Sequence, residues 1–133
     1  MVNALDKVQP KNKTQLRQLI NYAFKHNIYD LNFIDTSEIT DMSLLFSNCM
    51  HNFDVSSWDV ANVTCMEYMF NGCYKFNCDL SKWNVSNVTN MDNMFDGCKK
   101  FNCDLSDWDI SNITLWKNMF DGCNKMTIPN WYK

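Results

Sequence analysis

Glycine occurs only three times in this chain, at Gly72, Gly97 and Gly122, and each lies 25 residues from the next. Such regularity marks a tandem repeat. Trp58, Trp83 and Trp108 keep the same step, as do Met69, Met94 and Met119, Phe70, Phe95 and Phe120, and Cys73, Cys98 and Cys123. A period of this size signals units that bury their apolar faces only by stacking on their neighbours. Stacked units make long display surfaces more readily than deep catalytic pockets.

The front half of a unit carries apolar residues at Leu80, Trp83, Val85 and Val88, a spacing that predicts a leucine-rich strand and turn. The same slots hold Val55, Trp58, Val60 and Val63 one unit earlier and Leu105, Trp108, Ile110 and Ile113 one unit later. A weaker copy holds Leu31, Ile34, Thr36 and Ile39. The first step is 24 rather than 25, which places a one-residue deletion between Cys49 and Asp54. In the back half, Val88, Met91, Met94, Phe95 and Cys98 recur at threes and fours and predict a short helix. Thr40, Thr64, Thr89 and Thr114 are expected to be its N-caps, with Thr64 and Glu67 spaced as a capping box. Each glycine, and Asn48 in the first unit, is expected to end that helix in the left-handed conformation.

The expected fold is therefore α/β: a leucine-rich-repeat-like solenoid of four ~25-residue strand–turn–helix coils with an N-terminal helical cap. One repeat domain spans 1–133. A flexible lead covers 1–10 and the cap helix falls within 11–30, begun by Thr14 and striped with Leu16, Leu19, Ile20, Ala23 and Phe24. Repeats follow at 31–54, 55–79, 80–104 and 105–126, and a C-terminal cap at 127–133. Met126 and Ile128 begin a further unit that Pro129 interrupts, after which Trp131 and Tyr132 cover the last coil. A chain of 133 residues with 46% hydrophobic content can bury one such core.

A net charge of −3, a pI near 5.2 and the scatter of Lys and Arg across the repeat rows oppose nucleic-acid binding. Lys11, Lys13, Arg17 and Lys25 read as the solvated side of the cap. No segment approaches membrane-spanning length, so no membrane insertion is expected, and the first 30 residues lack a secretory signal's pattern. As written the chain reads as cytoplasmic, and its compartment stays open.

Seven cysteines argue by their odd number against a complete disulfide framework. Cys49, Cys73, Cys98 and Cys123 form one row beyond the left-handed Asn or Gly. Cys78 and Cys103 share a slot with Phe53 and Ile128, which marks a core slot. Equivalent side chains on neighbouring units point the same way, too far apart at their beta carbons for easy bridging, so buried thiol ladders are the expectation. Zinc lacks support, the only histidines being His26 and His51. No nucleophile–base pair, phosphate loop or cofactor motif stands out from the repeat, and no enzyme is expected. Asn62-Val63-Thr64, Asn87-Val88-Thr89 and Asn112-Ile113-Thr114 match the glycosylation acceptor pattern as a by-product of the repeat. Asp54, Asp79 and Asp104 recur as turn formers that need no calcium.

The run FNCDLSKWNVSNVTNMDNMFDGC from Phe76 to Cys98, with near copies on either side, resembles the BspA-like leucine-rich repeat of bacterial surface proteins. The stretch from Asp30 to Phe46 is similar to that family's usual first repeat. The resemblance implies a leucine-rich-repeat-like solenoid, often surface displayed, with roles in adhesion or host-protein binding. It supplies no catalytic residue and no fixed ligand site.

If Leu80, Trp83 and Val85 face inward along a strand, their neighbours face outward in rows. The first row holds Phe33, Ser57, Lys82 and Asp107; the second Asp35, Asp59, Asn84 and Asp109; the third Ser37, Ala61, Ser86 and Ser111. The middle row is acidic, and adjacent carboxylates would repel by about 0.9 kcal/mol in water. The expected function is a non-enzymatic, adhesin-like protein-interaction module, using Phe33, Asp35, Ser57, Asp59, Lys82, Asn84, Asp107 and Asp109 to bind a protein partner. The alternative is an intracellular thiol- or metal-responsive protein built on the cysteine rows. A carbohydrate binder ranks lower, with only Phe33 and Tyr68 as exposed aromatics. Self-association through open solenoid ends is a further expectation.

Overall fold

In the computed structural model, which describes residues 7–133, the regular secondary structure is one helix, α1, over Lys13–Lys25. Its start is fixed by Asn12, not Thr14: the Asn12 side chain accepts from the Gln15 amide at 2.9 Å, satisfying a donor with no intrahelical partner. The expected stripe is inward, with Leu16, Ile20 and Ala23 buried and Leu19 and Phe24 packed against the core. Asn27, left-handed at φ 59°, turns the chain away after the helix.

The strand–turn–helix solenoid is not what the repeats form. Among the described residues they contain no helix and no sheet, only turns and isolated parallel bridges such as Cys65 with Asn90 and Asn90 with Leu115. Each unit is instead a succession of turns closed by a bond from residue i+3 to residue i. In the third unit the Trp83 amide donates to Leu80, Val88 to Val85, Met94 to Met91, Cys98 to Phe95 and Phe101 to Cys98, all at 2.9–3.2 Å. A turn places its first and fourth residues inward and exposes the two between, and these five pairs are all buried.

That geometry explains both misreadings. Spacings of three and four suit a helix face and a run of turns equally well. What prevents a helix is a second left-handed position in each unit, at Leu44, Tyr68, Asn93 and Asn118, besides the one at Asn48, Gly72, Gly97 and Gly122. The threonines therefore cap nothing. The Thr64 amide donates to Thr40, Thr89 to Thr64 and Thr114 to Thr89 at 2.8–2.9 Å, and each hydroxyl donates to the same carbonyl.

Successive units are joined in register along the Met–Phe half. Met66, Tyr68, Phe70 and Gly72 donate to the carbonyls of Asn90, Asp92, Met94 and Asp96 at 2.7–2.9 Å. Met42, Leu44, Phe46 and Asn48 do the same one unit earlier, and Met91, Asn93, Phe95 and Gly97 one unit later. The backbone conformation favours glycine at Gly97, whose φ of +81° strains any L side chain, although a Cβ there would meet the Gly72 backbone at an ordinary 3.5 Å.

Aromatic rows fill the interior. Phe46, Phe70, Phe95 and Phe120 stack with centroids 5.6–5.7 Å apart and planes within 7°. Phe53 stacks on Phe76 at 4.7 Å, so the missing residue of the first unit moves it into the Phe76–Phe101 row, not the Cys78–Cys103 slot. The deletion removes the turn that Phe76 closes onto Cys73 in the next unit.

The ends are closed differently. Of the lead expected over 1–10, residues 1–6 lie outside the described residues; Val8 pairs with Ile34 and exchanges backbone bonds with Phe33 and Asp35. At the other end the Trp131 indole donates to the Leu105 carbonyl at 3.0 Å, as Trp108 does to Leu80. Tyr132 packs edge-on against Phe120.

Candidate functional site

The outward residues are organised by side-chain bonds to backbone, because a short carboxylate or carboxamide ahead of a turn reaches the amide two residues on. Asp35 accepts from the Ser37 amide, Asp59 from Ala61, Asn84 from Ser86 and Asp109 from Ser111, at 3.0–3.1 Å. Asp54, Asp79 and Asp104 accept likewise from Ser56, Ser81 and Ser106. The first row of the face is thus spaced by turns rather than by strand alternation.

These bonds favour the ionised form. The amide and then the hydroxyl of Ser37 hold Asp35 below its usual range, and the hydroxyl and then the amide of Ser111 do the same for Asp109. The carboxylates are held by fixed donors, which offsets the repulsion expected along the row.

Ser57, Asp59, Lys82, Asn84, Asp107 and Asp109 are all exposed, and the repeat register brings them onto one surface. Phe33 and Asp35 differ. Both are half-buried beside residues 8 and 9, where Gln9 Nε2 donates to Asp35 Oδ2 at 3.1 Å and Val8 takes the Phe33 carbonyl. Tyr68 is half-buried as well.

Sequence reasoning missed a second feature beside this surface. Three recesses of about 400, 420 and 330 Å³ run side by side and share residues: Asn77, Cys78 and Asp79 line the first two, Asn102, Cys103 and Asp104 the last two. Asn52 accepts from the Asn77 amide and Asn77 from Asn102, at 3.0 and 3.1 Å, so side chains replace backbone pairing along the groove. The step from Asn52 to Asn77 to Asn102 was the available signal.

The glycosylation-pattern asparagines form their own ladder. The Nδ2 groups of Asn62, Asn87 and Asn112 donate to the carbonyls of Ser37, Ala61 and Ser86 at 2.7–2.8 Å.

The cysteines are free thiols, five of them buried and Cys49 and Cys65 half-buried. Cys73, Cys98 and Cys123 donate to the carbonyls of Phe46, Phe70 and Phe95 at 2.9–3.0 Å. Burial pushes Cys73, Cys78 and Cys123 up to about 12 and Cys98 higher still. Thiols so held are poor nucleophiles and poor ligands. No group of three His, Cys, Asp or Glu side chains among the described residues is placed to hold a metal. No described helix is long and apolar enough to cross a membrane.

Fold and surface together define a repeat protein of hydrogen-bonded turns with ordered polar rows. The chain belongs to the family described as Mycoplasma protein of unknown function, DUF285, which matches residues 14–131. No curated protein and no solved structure matched it.

Proposed function

We propose that this chain is a non-enzymatic protein-interaction module, adhesin-like in the sense its BspA-like repeat resemblance implies. The partner would dock on the surface bearing Ser57, Asp59, Lys82, Asn84, Asp107 and Asp109, with Phe33 and Asp35 at its margin. One observation carries this reading: the polar side chains of the Asp59 row are already fixed by bonds to the following turn. A partner then loses little side-chain entropy in meeting them, and preorganisation of this kind is a main source of affinity. The acidic row favours a basic or donor-rich protein surface.

Panning a displayed peptide library against the folded chain, then against its triple variant Asp35→Asn, Asp59→Asn and Asp109→Asn, tests the reading. Selected peptides should be rich in Lys and Arg and should bind the variant at least about tenfold more weakly. Equal binding to both would remove this surface.

A further inference from the structure

Along the Met–Phe half the backbone bonds between units run one way, from each unit to the next, while the threonine amides donate back to the unit before; the Met–Phe half of the fourth unit is thereby left with a row of donors. In each of the first three units, four alternate amides donate to carbonyls of the unit that follows. Their equivalents in the fourth unit are Trp116, Asn118, Phe120 and Gly122, whose amides find no acceptor among the described residues. Residues 124–133 turn aside: Trp131 and Tyr132 cover the aromatic row, and the Tyr132 hydroxyl takes the neighbouring Met119 amide instead.

We propose that this end is a docking edge for a carbonyl-presenting polypeptide segment that resembles the repeat's own Met–Phe half and is supplied by a separate chain. The edge continues the contact already made three times within the molecule. An unpaired backbone row of this kind is a template for an added segment. Side chains along it suit the same occupant. Leu115 is 49% exposed where earlier units carry Asp41, Cys65 and Asn90, and Trp116 is half-buried where they carry buried methionines. Lys117 stands exposed where they carry Ser43, Glu67 and Asp92, so an acidic segment like that around Asp92 and Asp96 is complementary.

A second folded copy does not fit. Two such edges brought together would oppose donor to donor. The complementary carbonyls, on Asp41, Ser43, Leu45 and Ser47, accept no backbone bond, but α1 lies over them. Lys13 Nζ donates to Ser43 Oγ at 2.7 Å, and the Phe24 ring packs 6.4 Å from that of Phe46. On this proposal the edge captures an extended segment, where the sequence alone predicts self-association through open ends. This inference is independent of the polar surface proposed above.

The test follows amide hydrogen exchange by NMR, with and without a synthetic peptide of residues 88–99 in which Cys98 is replaced by serine. In the free protein, the amides of Trp116, Asn118, Phe120 and Gly122 should exchange at least about tenfold faster than those of Met91, Asn93, Phe95 and Gly97. Saturating peptide should protect the four, a scrambled peptide should not, and Leu115→Glu should weaken binding about tenfold while leaving the spectrum folded. Equal protection without peptide would overturn the proposal, as would failure of the peptide to bind. Protection that instead rises with protein concentration alone would assign the edge to a second copy and overturn it too.

Discussion

Leu44 and Tyr68 hold φ angles of 61° and 56°, a conformation that asparagine adopts at the equivalent Asn93 and Asn118. A clash between the Cβ and the following carbonyl oxygen makes this region cost roughly 1–2 kcal/mol for an ordinary residue, and less for asparagine. Leu44→Asn should therefore raise stability by about 0.5–1 kcal/mol, read as a higher urea midpoint at unchanged slope, with Tyr68→Asn smaller because its ring is half-buried. At the same scale, the Trp58, Trp83 and Trp108 indoles each donate to a carbonyl in the preceding unit. Trp83→Phe keeps most of the packing but leaves the Val55 carbonyl with the Trp58 amide as its one donor, and should cost about 0.5–1.5 kcal/mol in the same measurement. The period made these tryptophans visible as core. Their hydrogen bonds were not legible, because nothing in a single unit says which carbonyl lies across the gap.

The element of this protein is the turn, and its titrating groups follow from it. Buried thiols on the turn corners have raised values, so they stay protonated in the folded chain after they would ionise in the unfolded one. Their stabilising contribution is complete below pH 9 and is lost as pH rises from 9 toward about 12. Alkaline unfolding should begin in that window by fluorescence. A native thiol titration near pH 8 should find Cys49 and Cys65 first, with the other five appearing only on denaturation. The carboxylates behave oppositely. Asp35, Asp54, Asp79 and Asp109 are lowered by the serines two residues on, so their contribution is present above pH 3.8 and is lost as pH falls further. Turn-forming aspartates were legible from their place in the repeat. The turns themselves were not, because an i, i+3 apolar pair is common to a helix and a turn, and only the second left-handed residue separates the two.

At the scale of the molecule, each unit bonds to the next through the same donors and acceptors, so the register is the fold. Removing residues 80–104 as a block should leave a cooperative, folded chain with a urea slope reduced roughly in proportion to the lost length. A deletion one residue longer or shorter should not, since it would pull the Phe70–Phe120 row out of line. The first unit escapes that penalty only because its missing residue falls in a turn and Phe53 still reaches Phe76. Sequence periodicity alone determined the 25-residue repeat, most of the inward residues and the left-handed glycines, because burial and backbone sterics act on each residue locally. Tertiary structure decided the rest: that the units are turns, that the amides of their Met–Phe halves all donate to the following unit, and that one end keeps those donors while α1 covers the acceptors. Those properties belong to the contact between units, and a hydrogen bond across 25 residues leaves no trace in either sequence it joins.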